Sequence, residues 1–197
     1  MEAYALSKLG IHADAEGRYA DAKRLHVEAN ALFDSVGDRG GAGYTLSRAS
    51  MSAFGLGDYP EALRLGRAGY EAFSEVNNRW GAIGALCRIG FPALALGDAE
   101  EAAQRFGEAL ERAHVSEAIS LELLALSGIG AWLAQRGHSV RAATMLIFAL
   151  GHEQLPAAYS FPARPALERL EAKLSPAQMA AARNAAAEAT QIGRAHV

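Results

Sequence analysis

The chain has 197 residues, 51% hydrophobic and 21% charged, with a formal net charge of −3, which suits a folded domain or a short repeat array and argues against disorder and a broadly basic nucleic-acid surface. The longest strongly apolar run, Met145 to Leu150, is too short to cross a membrane, and Glu2 and Lys8 break up any apolar leader. Cys87 is the only cysteine, so an internal disulfide is excluded, and the expectation is a cytoplasmic protein.

In chain order, one stretch recurs: a glycine turn that opens a helix with alanine on its inner face. It reads Gly17-Arg18-Tyr19-Ala20-Asp21-Ala22, then Gly57-Asp58-Tyr59-Pro60-Glu61-Ala62, then Gly97-Asp98-Ala99-Glu100-Glu101-Ala102, and in faded form Gly137-His138-Ser139-Val140-Arg141-Ala142, each 40 residues after the last. A fixed period of this size is the signature of a solenoid, whose units bury their apolar faces against their neighbours. Ala22, Leu25, Ala29, Phe33 and Val36 advance by three or four residues, as do Ala62, Leu65, Gly69, Phe73 and Val76, so each set lines one helix face. The helix before each carries its own columns: Leu6, Leu46, Leu86, Leu126; Gly10, Ser50, Gly90, Gly130; and Ala13, Ala53, Ala93, Leu133. The small columns predict tight helix pairs. Four pairs are expected, about 2–16 with 19–36, 40–56 with 59–76, 79–96 with 99–114, and 117–136 with 139–150.

The boundaries have a mechanism. Gly57 and Gly97 suit the left-handed stop of a helix, and Asp58 and Asp98 cap the next one, with Glu61 and Glu101 completing a capping box. Gly37-Asp38-Arg39-Gly40-Gly41 and Asn77-Asn78-Arg79-Trp80-Gly81 offer the same stop and cap. Pro92 is expected to kink or break its helix by removing the bond to the Arg88 carbonyl. The connection near Val115 and Ser116 has no glycine and is expected to differ in geometry. After Gly151 the period stops. Pro156, Pro162 and Pro165 mark a crossing read as non-helical, followed by a helix over 166–174. Ser175-Pro176 then caps a last helix to about Thr190. These two helices are expected to close the end of the array. Ile192-Gly193-Arg194-Ala195-His196-Val197 reads as the translation of a common sequencing adapter, so the expectation is a fragment of a longer protein.

The unit resembles a tetratricopeptide repeat. The first carries Leu9, Gly10, Ala13, Gly17, Tyr19, Ala22 and Ala29 at the family's spacing, and the third carries Ile89, Gly90, Ala93, Gly97, Ala102, Phe106 and Ala109. The usual period is 34, and the usual Trp of the first helix is Leu in all four units. The longer unit, with its Gly-Asp-Tyr turns, is similar to the helical-repeat arms of large bacterial LuxR-type and signalling-ATPase regulators and of multidomain adenylate cyclases. The resemblance implies an all-α, right-handed solenoid of four hairpins (1–38, 39–78, 79–116, 117–151), capping helices over 152–191 and the adapter-derived tail at 192–197.

It also implies that the first helix of each pair lines a concave groove. The positions are Tyr4, Ser7, Ile11 and Asp14; Tyr44, Ser47, Met51 and Phe54; and Gly84, Cys87, Phe91 and Leu94. An amphipathic helix or extended peptide would be the ligand; the alternative is that these side chains pack between helices. Lys8, Arg48 and Arg88 stand 40 apart beside the groove and either bind an acidic partner or anionic effector, or pair with nearby carboxylates. Cys87 shares a small-residue column with Ser7, Ser47 and Ser127, which explains it without chemistry. The scattered histidines His12, His26, His114, His138 and His152 show no ligand spacing and are expected at the surface or at caps. The carboxylates sit on outer faces, and no phosphate-binding loop is present. The expectation is a non-enzymatic interaction or effector-sensing arm of a larger regulator, without cofactor, metal, membrane or direct nucleic-acid contact. Its partner would be a protein, a peptide or the parent's own switch domain; the alternative is a free-standing adaptor.

Overall fold

The computed structural model describes residues 1–195, with the side chains of 1–157 and 159–190. Among these the structure is entirely helical, with no strand. Four hairpins follow the period: α1 (Glu2–Ala15) with α2 (Tyr19–Ser35), α3 (Arg39–Gly55) with α4 (Tyr59–Glu75), α5 (Arg79–Ala95) with α6 (Ala99–Val115), and α7 (Ile119–Gln135) with α8 (Ser139–Gly151). Three further elements follow: α9 (Ala157–Ser160), α10 (Arg164–Lys173) and α11 (Pro176–Ala195). The chain forms two compact units, Met1–Glu108 and the part from Ala109 onward. In the first, each of α1 to α4 packs on the helix that follows it, and in the second, α8 packs on α7, α10 and α11. No helix among the described residues is long and apolar enough to cross a membrane.

The turns form for the expected reasons. Gly17, Gly57, Gly97 and Gly137 take φ of 73 to 89°, a region that costs a residue with a Cβ about 1–2 kcal/mol. Asp58 and Asp98 accept the backbone N–H of Glu61 and Glu101, and Asp38 and Asn78 accept those of Gly41 and Gly81. The return half of the expected box is not what Glu61 and Glu101 make: their carboxylates take Arg64 and Arg67. The reciprocal box is built instead at α11, where Ser175 Oγ accepts the Gln178 N–H and Gln178 Oε1 accepts the Ser175 N–H.

Several expectations are corrected. Pro92 does not break α5, which runs unbroken to Ala95; the Leu96 N–H closes on the Pro92 carbonyl at 2.9 Å. The Arg88 carbonyl, denied its helical N–H by Pro92, faces Gly66, where a Cβ would come within 3.0 Å of it. The connection after α6 keeps the same backbone course, although Ala118 has no side chain to cap α7 as Asp38 and Asn78 cap their helices: Glu117 takes φ 52°, beside 54° at Asn77 and 72° at Gly37. The Ala118 N–H reaches back to the Ala113 carbonyl at 2.9 Å, as that of Asn78 reaches Phe73. Closing that bond requires the left-handed residue whatever its side chain. Val36 and Val76 lie past their helices and are exposed, so the inner faces end at Phe33 and Phe73. The proline-rich crossing contains the helical turn α9, and α11 passes Thr190 to reach Ala195. His196 and Val197, the end of the expected adapter-derived tail, lie outside the described residues.

Candidate interaction surface

The first helices of the first unit, α1, α3 and α5, are neighbours. Within the first unit, α3 contacts both α1 and α5. Ser52 Oγ of α3 donates to Asp14 Oδ1 of α1 at 2.7 Å, and the Phe54 and Phe91 rings join α3 to α5 with centroids 6.3 Å apart. The row is open at one end and closed at the other. On α1, Tyr4 is 60% exposed, Lys8 is exposed and Ile11 is half-buried. On α3, Tyr44 is 43% exposed, while Arg48, Met51 and Phe54 are half-buried. On α5, Arg88, Phe91 and Leu94 are buried, as is every residue from Ala82 to Leu94.

The aromatic side chains divide in the same way. Phe91 meets Phe106 edge-on at 5.0 Å, and Phe54 meets Tyr59 at 5.3 Å, so both are packing residues as much as wall. Tyr4 stands edge-on to Phe33 at 4.9 Å while remaining largely in solvent. The Arg48 guanidinium lies 5.5 Å over the Tyr44 ring, and its Nε donates to the Tyr44 hydroxyl at 3.4 Å. Tyr44 and Arg48 thereby present one amphipathic surface.

Ser7, Ser47, Cys87 and Ser127 all face inward and are buried, so this column lines no groove. Burial pushes the Cys87 thiol up to about 12, against the opposing pull of the Arg88 charge, so it stays protonated and unreactive at neutral pH. Asp14, also carried as a groove position, turns instead to Ser52 and to His26.

His26, expected at the surface or at a cap, stands in the middle of α2 and is fully buried. Its Nε2 lies 3.1 Å from Asp14 Oδ2, and Gly10 opens the space for its ring: a Cβ there would fall 2.5 Å from Cε1. The same exchange is made by Gly90 over Phe106 and Gly130 over Leu146. The missed signal is therefore the partner column, sixteen residues after each small one, in which His26, Phe106 and Leu146 are equivalent. Asp14 bridges histidine and serine, and the Ser52 hydroxyl donates to the carboxylate rather than to the imidazole. That order activates no nucleophile; it ties α1, α2 and α3 together.

The second unit has a cleft of about 860 Å³ that the sequence did not announce, floored by Ile119, Ile147, Phe148 and Ala186, with Arg183 and Glu122 among its polar lining. The Glu122 carboxylate is engaged by His114 Nδ1 at 2.9 Å. Among the described residues, no group of three or more His, Cys, Asp or Glu side chains is placed to hold a metal ion. Compared with protein-family models and with curated proteins, the chain matches none.

Proposed function

We propose that the chain is a non-enzymatic, tetratricopeptide-like interaction arm of a larger bacterial transcriptional or signalling regulator, and that it takes a protein or peptide on the face shared by α1 and α3. The observation that supports this is the pair Tyr4 and Tyr44, 60% and 43% exposed, one repeat apart on adjacent first helices. Large amphipathic rings left in solvent on a rigid scaffold are the usual anchors of a protein interface. In mechanism, occupation of this face would favour one packing of the arm against an attached switch domain, a population shift that needs different contacts in the two states.

The test is quantitative mass spectrometry of proteins retained by the immobilised chain from a lysate of its source, with the Tyr4→Ala/Tyr44→Ala variant alongside. Losing two anchors of this kind should weaken retention of a specific partner by about tenfold or more, while the thermal midpoint stays within a few degrees. Equal retention by the variant would remove the face from the proposal.

A further inference from the structure

Charge is segregated between the two helix layers of the first unit. Its second helices carry carboxylates and arginines together, and the arginines are paired. Arg24, Arg64, Arg67 and Arg105 each meet a carboxylate at 2.7 to 3.4 Å, and so do Arg18, just before α2, and Arg39, the first residue of α3, at 2.7 and 2.6 Å. The first helices differ. Neither α3 nor α5 contains a single Asp or Glu. On α1, Asp14 is committed to His26 and Ser52, which leaves Glu2 in the first turn. Among the described residues, Lys8 and Arg48 have no carboxylate partner; Arg79 has none either, but it stands in the first turn of α5 and not beside the two tyrosines. The chain is acidic overall at −3, yet this face is basic.

On that basis, and resting on the interaction reading above, we infer that the α1/α3 face takes an acidic segment of a partner protein, its carboxylates on Lys8 and Arg48 and its aliphatic side chains against Ile11 and Met51. Three physical points carry this. Cations without counter-ions on a partly desolvated face gain more from an incoming carboxylate than the neutralised pairs of the second helices. Arg48 is already ordered against Tyr44, so pairing it loses little side-chain entropy. The half-buried Ile11 and Met51, one turn after Lys8 and Arg48 on the same helices, supply apolar contact beside the charges, which suits a segment that mixes acidic and aliphatic residues rather than a polyanion. Two cations on an otherwise acidic chain are also too few for the counter-ion release that drives nucleic-acid binding.

The experiment uses the full chain with fluorotyrosine at its six tyrosines and follows the fluorine signals of Tyr4 and Tyr44. Three capped octapeptides are titrated, each alternating leucine with glutamate, serine or lysine. The glutamate peptide is expected to move both signals, to bind more weakly as salt is raised, and to lose about tenfold in affinity to Lys8→Ala/Arg48→Ala, the factor that two exposed ion pairs supply. Serine or lysine peptides that bind as well, or an unchanged double variant, would overturn the acidic-segment inference and leave the interaction reading intact. A single-stranded oligonucleotide that displaces the glutamate peptide at equal concentration would overturn it in favour of nucleic acid. If no probe moves either signal at millimolar concentration, the interaction reading fails as well.

Discussion

At the first two joints between hairpins the second helix brings the bulk and the first helix yields; at the third the equivalent positions carry the reverse, a small residue on the second helix and a large one on the first. Phe33 lies under Gly41 and Phe73 under Gly81, so close that a Cβ on either glycine would enter the ring. Forty residues on, the pair is Ala113 and Leu121, both buried. The backbone does not register the change: a left-handed residue follows each second helix, and the same bond closes behind it. What repeats is therefore the path of the main chain. Side chains need only fill each joint between them, and either helix can supply the volume.

The sharpest way to break this comparison is to convert the second joint into the third. Phe73→Ala should destabilise the chain by about 3–5 kcal/mol by leaving a cavity, and Gly81→Leu by about 1–3 kcal/mol or more by overfilling. The double variant should cost clearly less than their sum; urea unfolding of all four proteins measures the coupling. Simple additivity would show that the joints are not equivalent. Next in size is the polar tie within the first hairpin, where the third uses Phe106 in place of His26. Asp14→Ala should cost about 1–3 kcal/mol, because it strands the buried imidazole and leaves the Ser52 hydroxyl only the Arg48 carbonyl. Asp21→Ala on the exposed face should stay within about 0.5 kcal/mol. At the third joint, Glu117→Gly should raise stability by about 1 kcal/mol by relieving the left-handed backbone, whereas Gly37→Ala at the first should lower it by a similar amount. The smallest effect is electrostatic. Arg39, by hydrogen bond and charge, holds the Glu75 carboxyl below its ordinary 4.5. Glu75 ionises more readily folded than unfolded, so its contribution is complete above about that pH and is lost as pH falls through the lowered value. Glu75→Gln should therefore flatten the acid limb of a melting-temperature profile between pH 7 and 3, and salt should shrink the difference.

Much of this was legible beforehand, and the misses share a cause. The period placed the eight hairpin helices to within a residue or two, because glycine turns, caps and small-residue columns are local signals. Glu117 was missed because the sequence rule asks for glycine, whereas the closing bond to Ala113 dictates φ. His26 was missed because its column mixes imidazole, glycine, phenyl and isobutyl, and only the void above it makes these equivalent. The row carried over by resemblance mixes exposed and buried positions. Tyr4 and Tyr44 stand in solvent, and Arg88, Phe91 and Leu94 are enclosed; spacing along a helix names the side but not how deeply that side is covered. The lack of carboxylates on α3 and α5 was present in the letters all along, and it gained meaning once the ion pairs of the second helices were seen.

The exchange of bulk at the third joint also bears on assembly. A nascent chain built of near-identical hairpins is prone to pair the wrong neighbours. Here, α2 docking onto α7 would drive the Phe33 ring into Leu121, and α6 docking onto α3 would leave Ala113 and Gly41 facing a void. Both mistakes are penalised through sterics alone, so the order of stacking is written into which side of each seam is thick.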